Sequence, residues 1–216
     1  MIEQPRFRNR AHAGELLADR LEAYAGRQDV AVIALPRGGV PVGFAVARRL
    51  RAALGVLLVR KVGLPGNEET AMGAIASGGY RLIQADLIAQ LGIAGEAVEE
   101  AIRREQAELA RREQRYGGGD ASHAWQGRMA ILVDDGLATG STMLVALRAL
   151  KARQPARIVA AVPVASRQAS RAVAAEVDEF VCLSTPHPFR AVSLWYDEFG
   201  QTSDEEVMRL LQAVAE

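Results

Sequence analysis

Five short runs rich in Val, Ile and Leu constrain this chain more than any other feature. They lie at residues 30–35, 56–59, 129–133, 157–162 and 179–183. None shows the polar alternation of a strand with one wet face, so all five read as strands buried on both faces of a parallel sheet. Segments of helical length separate them, at residues 40–53, 142–153 and 167–175. Strand, helix and strand in repetition specify right-handed βαβ units, and hence an α/β fold with helices on both faces of a mainly parallel sheet. Ligands of such sheets sit at the carboxyl ends of the strands, which directs attention to the residues following each run.

The length of 216 residues suits one domain, spanning 1–216, with elaborations. One elaboration is a helical insertion at about 85–120. Its central part, 95–115, sets Glu99 against Arg103, Glu100 against Arg104 and Glu108 against Arg112 at the stabilising i, i+4 spacing. This predicts a solvated helix rather than a nucleic-acid surface, because the acids interleave with the arginines. Its apolar seam of Val98, Ala101, Ile102, Leu109 and Tyr116 is thin, so little burial is expected unless a second subunit covers it, which would make a homo-oligomer. The run Gly117, Gly118, Gly119, Asp120 should end the helix. The other elaboration is a tail at about 186–216, whose last helix over 204–215 can be capped by Thr202 with Glu205 or by Ser203 with Glu206.

Charge and cysteine content exclude several classes. Lys plus Arg equals Asp plus Glu at 26 each, so no overall field attracts nucleic acid or an anionic membrane, and any anion must be held by a local site. The apolar runs fall far short of the roughly 18 residues of a membrane span, and the first ten residues lack the apolar centre of a secretory signal, which points to the cytoplasm. Cys182 has no second cysteine to pair with and sits within a strand-like run, so it reads as buried rather than nucleophilic. His12, His123 and His187 lack ligand spacing, which argues against zinc.

The stretch Met129 to Met143, MAILVDDGLATGSTM, carries most of the chemistry. A buried strand ends in two adjacent carboxylates, Asp134 and Asp135, and a loop of small residues then opens a helix. Ala138, Thr139, Gly140, Ser141 and Thr142 offer little side-chain bulk, so backbone amides can converge on an anion with the positive end of the helix behind them. The two acids would repel that anion. Acceptors at this place suit sugar hydroxyls or a hydrated metal. Neither a Walker loop nor a GxGxxG fingerprint is present.

VDDGLATGSTM resembles the signature of type I phosphoribosyltransferases, which bind 5-phosphoribosyl-1-pyrophosphate (PRPP). The resemblance implies a Rossmann-like phosphoribosyltransferase core with a small C-terminal hood, residues 138–142 on the 5-phosphate, and Asp134 and Asp135 facing the ribose. LPRGGVPVGFAVARRL, from Leu35, is similar to the pyrophosphate loop of bacterial 6-oxopurine enzymes, with Arg37, Gly38 and Gly39 on the diphosphate. The peptide Pro36–Arg37 is accordingly expected to be cis. LLVRKVGLPGNEETAMG, from Leu57, resembles adenine phosphoribosyltransferases, where a basic pair, here Arg60 and Lys61, precedes a mobile loop that closes over PRPP; Glu68 and Glu69 either support the base or, as is commoner for exposed loop glutamates, are only solvated. The tail's Phe189, Trp195, Tyr196, Phe199 and QTSDEEV resemble a group of stand-alone members of the family. Trp195 and Tyr196 either stack on an acceptor base or form a small satellite core.

The implied activity is transfer of ribose 5-phosphate from PRPP to a nitrogenous base with release of pyrophosphate. Asp134, Asp135 and Lys61 would be the catalytic groups, and Mg²⁺ the cofactor bridging diphosphate and ribose oxygens, with few protein ligands. Ala138 stands where higher 6-oxopurine enzymes carry an acid beside the purine, so the sequence does not select a base. The competing reading is a PRPP-binding regulator without turnover.

Overall fold

The computed structural model describes residues 6–116 and 125–215. Its centre is a five-stranded parallel sheet of β1 (Val30–Ala34), β2 (Ala53–Val56), β6 (Met129–Val133), β7 (Arg157–Val164) and β8 (Glu179–Ser184), in the order β2-β1-β6-β7-β8. The register pairs Ala34 with Val133 and Val133 with Ala161, so the carboxyl ends of the three middle strands lie side by side. The residues after β6 therefore emerge in the middle of that edge. Both faces are covered, as the apolar runs require. Ala31, Ile33, Ala130 and Leu132 pack with Met143, Leu147 and Leu150 of α5 (Ser141–Lys151) and Val173 of α6 (Arg167–Ala174). Val30, Val32, Ile131 and Val133 pack with Leu17 and Leu21 at α1 (Arg10–Arg20) and Val42, Val46 and Leu50 of α2 (Gly39–Leu50).

The second strand differs from its sequence expectation. The parallel strand is Ala53–Val56, and the expected run 56–59 straddles the junction between two sheets. The cause is local: α2 stops at Leu50 because Arg51 turns left-handed, with φ +54° and its amide donated back to Ala47 and Arg48, and the strand starts three residues earlier than its apolar run suggests. Beyond it, β3 (Val59–Leu64), β4 (Asn67–Ala76) and β5 (Tyr80–Ile83) form a separate antiparallel sheet where the sequence suggested a mobile loop. Its first turn is Pro65–Gly66, in which proline fixes the entry and Gly66 takes φ +78°.

Helix α3 (Ala85–Gln90) leads into α4 (Gly95–Tyr116), which has the expected buried seam: Val98, Ala101, Ile102, Leu109 and Tyr116. The seam is covered within the chain, by Val62, Met72 and Ile75 of the antiparallel sheet and Val207 of α7 (Asp204–Ala215). The expected terminator at Gly117 to Asp120, and His123, lie outside the described residues. Ser203 caps α7, its Oγ accepting the Glu206 amide at 3.1 Å. Cys182 is half-buried in β8, and burial pushes its thiol up to about 11, consistent with an inert position. Among the described residues, no helix is long and apolar enough to cross a membrane.

Candidate active site

Strand β6 delivers Asp134 and Asp135 to the middle of the sheet edge, and the acids divide between different surroundings. Asp135 Oδ2 accepts from Arg10 Nε at 2.8 Å, in a pair whose side chains are only 16% and 12% exposed. The Arg10 guanidinium also donates to the Gly200 carbonyl at 2.6 Å and lies 3.8 Å from the Phe199 ring centre. A cation in such a setting is fixed by hydrogen bonds and by the ring face together. Among the described residues no cation is bonded to Asp134, on which Arg10 acts only through its charge; its Oδ1 accepts the Asp135 amide at 2.9 Å. Burial, and then the neighbouring Asp135 charge, hold the Asp134 carboxyl well above the usual carboxylate range. Asp135 is also raised by burial, with Arg10 opposing the rise.

After the acids, the loop is laced to β7. Leu137 donates to the Val164 carbonyl and Ser166 to the Leu137 carbonyl, both at 2.9 Å, while Ser166 Oγ donates to the Ala138 carbonyl at 2.7 Å. Residues 138–142 then curl into the start of α5 around a cavity of about 210 Å³, lined by Asp134, Gly136 to Met143 and Val192. The first-turn amides of α5 have no partner inside the helix, which makes its start suited to an anion. The hydroxyls of Thr139 and Ser141 lie 3.0 Å apart and exposed at the rim.

Gly140 caps α5 with φ +76°. A Cβ there would meet Ala169 Cβ of α6 at 3.2 Å. Glycine is therefore required by backbone conformation and by packing against α6.

The loop after β1 lies against the same acids. Pro36–Arg37 is cis, as expected. A Cβ on Gly38 would collide with the Asp135 carboxylate, and one on Gly39 would stand 2.9 Å from the Val133 carbonyl and 3.0 Å from the Asp134 Cα. The Gly39 amide is already donated to Leu35 at 3.0 Å, so Gly39 serves close packing rather than offering a free donor. Arg37 is paired with Asp204 of α7, Nη1 to Oδ1 at 3.6 Å.

The basic pair does not act as a unit. Arg60 and Lys61 are consecutive on β3 and project to opposite faces. Arg60 is bound to Glu105 of α4 at 2.6 Å and clamps the helical insertion to the hairpin, whereas Lys61 is exposed. The tail aromatics form the satellite core. Tyr196 is 4% exposed, its ring centre 5.3 Å from Phe7 and 5.0 Å from Phe199, and its hydroxyl donates to the Asp135 carbonyl at 2.6 Å. With both sides packed it offers no face to a base, which corrects the stacking alternative for this residue. Trp195 lies over Phe189, centres 6.5 Å apart.

Sequence reasoning missed Arg10, Tyr196 as a support for Asp135, and Asp204. Only Asn9 carried a signal, as the cap of α1 whose side chain accepts the His12 amide at 3.0 Å. It locates the helix bearing Arg10 but not the partner of that residue.

The phosphoribosyl transferase domain model matches residues 7–198, most of the chain. The chain belongs to the phosphoribosyl transferase family. Two strains of Mycobacterium tuberculosis carry proteins named "Putative phosphoribosyl transferase" MT0597 and Rv0571c, each 42% identical over 205 residues, covering 95% of this chain and 46% of the relative. The chain thus spans about half the length of these curated relatives. The crystal structure of TT1426 from Thermus thermophilus is 42% identical, covers 96% of this chain and 98% of its own, and superposes with a TM-score of 0.81. The family's parallel sheet with flanking helices is the fold described above.

Proposed function

We propose that the chain transfers the ribose 5-phosphate of PRPP to a nitrogenous base and releases pyrophosphate. One observation carries this reading: the helix-start loop 137–142 and the loop 36–39, which bears Arg37, both abut a pair of carboxylates at the end of the central strand. A sugar held at its 5-phosphate by one loop and at its diphosphate by the other would rest over Asp134 and Asp135.

The reaction develops positive charge on the ribose ring and negative charge on the departing diphosphate. Asp134 and Asp135 meet the first and Arg37 the second. Because Arg10 anchors Asp135, that carboxylate holds its place as charge builds. Asp134, kept poorly solvated, becomes more strongly stabilising toward a cation once ionised. Lys61, exposed on the antiparallel sheet, would meet diphosphate charge.

Mg²⁺ fits this donor set. The acid pair provides two adjacent carboxyl groups, one with a raised pKa that a cation would lower, and Mg²⁺ characteristically takes few protein ligands beside a diphosphate. Asp134 and Asp135 would hold it, and when bound it would supply charge neutralisation at the leaving group. The membership of the family and the absence of a matching acid at Ala138 leave the base to be found by assay.

The test measures PRPP affinity by calorimetry beside pyrophosphate release over a panel of purines and pyrimidines. A base that raises release well above the rate of hydrolysis supports the transferase. Tight PRPP binding with no active base would replace it with the non-catalytic regulator.

A further inference from the structure

We propose that Asp204, at the start of the C-terminal helix, is a positioning residue that holds Arg37 ready for diphosphate. The inference rests on reading the 36–39 loop as the pyrophosphate loop. Three elements meet at this carboxylate. Arg37 Nη1 lies 3.6 Å from Oδ1, Tyr116 Oη at the end of α4 donates to Oδ1 at 2.5 Å, and Arg115 Nη1 donates to Oδ2 at 2.6 Å. Asp204 is only 17% exposed on its side chain, so it is a fixed anchor rather than a wandering surface acid.

The charges decide between two roles. A lone carboxylate beside Arg37 would compete with an incoming diphosphate. Asp204, however, is shared with Arg115, which also pairs with Glu205 at 3.0 Å, so two arginines meet two carboxylates and Arg37 lies against a neutral cluster rather than an uncompensated negative charge. The contact uses one terminal nitrogen of Arg37, and the remaining guanidinium donors stay available in their rigid fork. What Asp204 supplies is direction. An arginine at the end of a tight loop has several rotatable bonds, and fixing it before the ligand arrives removes an ordering cost from binding. The tail helix and the helical insertion thereby become parts of the leaving-group side, although both lie outside the parallel sheet.

The test uses calorimetry with inorganic pyrophosphate and, separately, ribose 5-phosphate, on the full chain. Asp204→Ala should weaken pyrophosphate binding about tenfold and leave ribose 5-phosphate within about twofold. In an Arg37→Ala background the same substitution should add nothing. Tyr116→Phe, which loosens the contact between α4 and α7 without changing any charge, should keep pyrophosphate affinity within about twofold. Ser203 caps α7 independently of Asp204, so the variant helix retains its start, and circular dichroism reports this. Equal loss of both ligands, persistence of the effect without Arg37, or a matching loss in Tyr116→Phe would each show a structural role only and overturn the proposal. Wild-type protein that ignores pyrophosphate altogether would overturn the underlying reading as well, whereas loss in Arg37→Ala but not in Asp204→Ala would overturn the positioning role alone.

Discussion

The two loops that flank the acid pair are built in opposite ways. The 137–142 loop is assembled from residues next to one another in sequence and tied to the adjacent strand end and the cap of α6, through Leu137, Ala138, Ser166 and Ala169. The 36–39 loop is set by groups far away in the chain: Gly38 packs on Asp135, and Arg37 reaches Asp204. The same asymmetry runs through the acids, since Asp135 is held by Arg10, 125 residues earlier in the chain, while Asp134 accepts the amide of its neighbour Asp135. A locally encoded loop tolerates distant substitutions, and a loop assembled by packing does not.

The strongest way to break this comparison is to remove the acids between the loops. Asp134→Asn with Asp135→Asn should lower transfer by about 10³-fold or more while ribose 5-phosphate still binds, because the carboxylates matter most once the ring is cationic. Single-turnover rates beside calorimetry check this, and a parallel loss of binding would mean that the acids merely hold the loops in place. Next in size is Gly140→Val. Its left-handed backbone and the contact with Ala169 predict at least tenfold weaker ribose 5-phosphate binding with pyrophosphate affinity kept, if the two loops are independent. Equal damage to both ligands would dissolve the distinction.

Tyr196→Phe sharpens the comparison from the tail. It removes the donor to the Asp135 carbonyl, and a loss of about 1–2 kcal/mol in stability is expected by denaturant unfolding. An unchanged midpoint would show that the tail does not support the acid pair.

The smallest effect separates the acids by pH. The folded Asp134 carboxyl is raised above its unfolded value of 3.8, so the unfolded state gives up its proton first as pH rises. The resulting cost to stability is absent below about pH 4 and accumulates as pH climbs from there toward the raised folded value. Asp134→Asn should therefore be more stable than wild type at pH 7 by about 1 kcal/mol, or roughly 2–4 °C in Tm, and indistinguishable at pH 3.5. A variant less stable than wild type at neutral pH would contradict the burial cost assigned to Asp134.

Much of the fold was legible because its signals are short-ranged. An uninterrupted apolar run, a small-residue turn or a Ser203–Glu206 cap acts within a few residues, and these appear where the sequence put them except at the run 56–59, whose parallel strand is Ala53–Val56. The seam of α4 was read correctly residue by residue, yet its cover was not, because periodicity says which face is apolar and not what lies opposite. The antiparallel sheet at 59–83 was missed because its strands carry Lys, Gly and Glu where a buried strand would carry Val.

The sequence by itself determined the class of sheet, the acid pair at a strand end and the loop of small residues that follows, since strand period and turn chemistry are properties of neighbouring residues. Only the tertiary structure decided which charges meet. Arg10 and Asp135 are 125 residues apart, and nothing in either segment names the other. Tyr196 was an aromatic residue of two possible uses until packing buried its ring and aimed its hydroxyl at the Asp135 carbonyl. The physical reason is that an ion pair or a buried hydrogen bond depends on distances fixed by the packing of whole elements, and those distances are not written in any local stretch of chain.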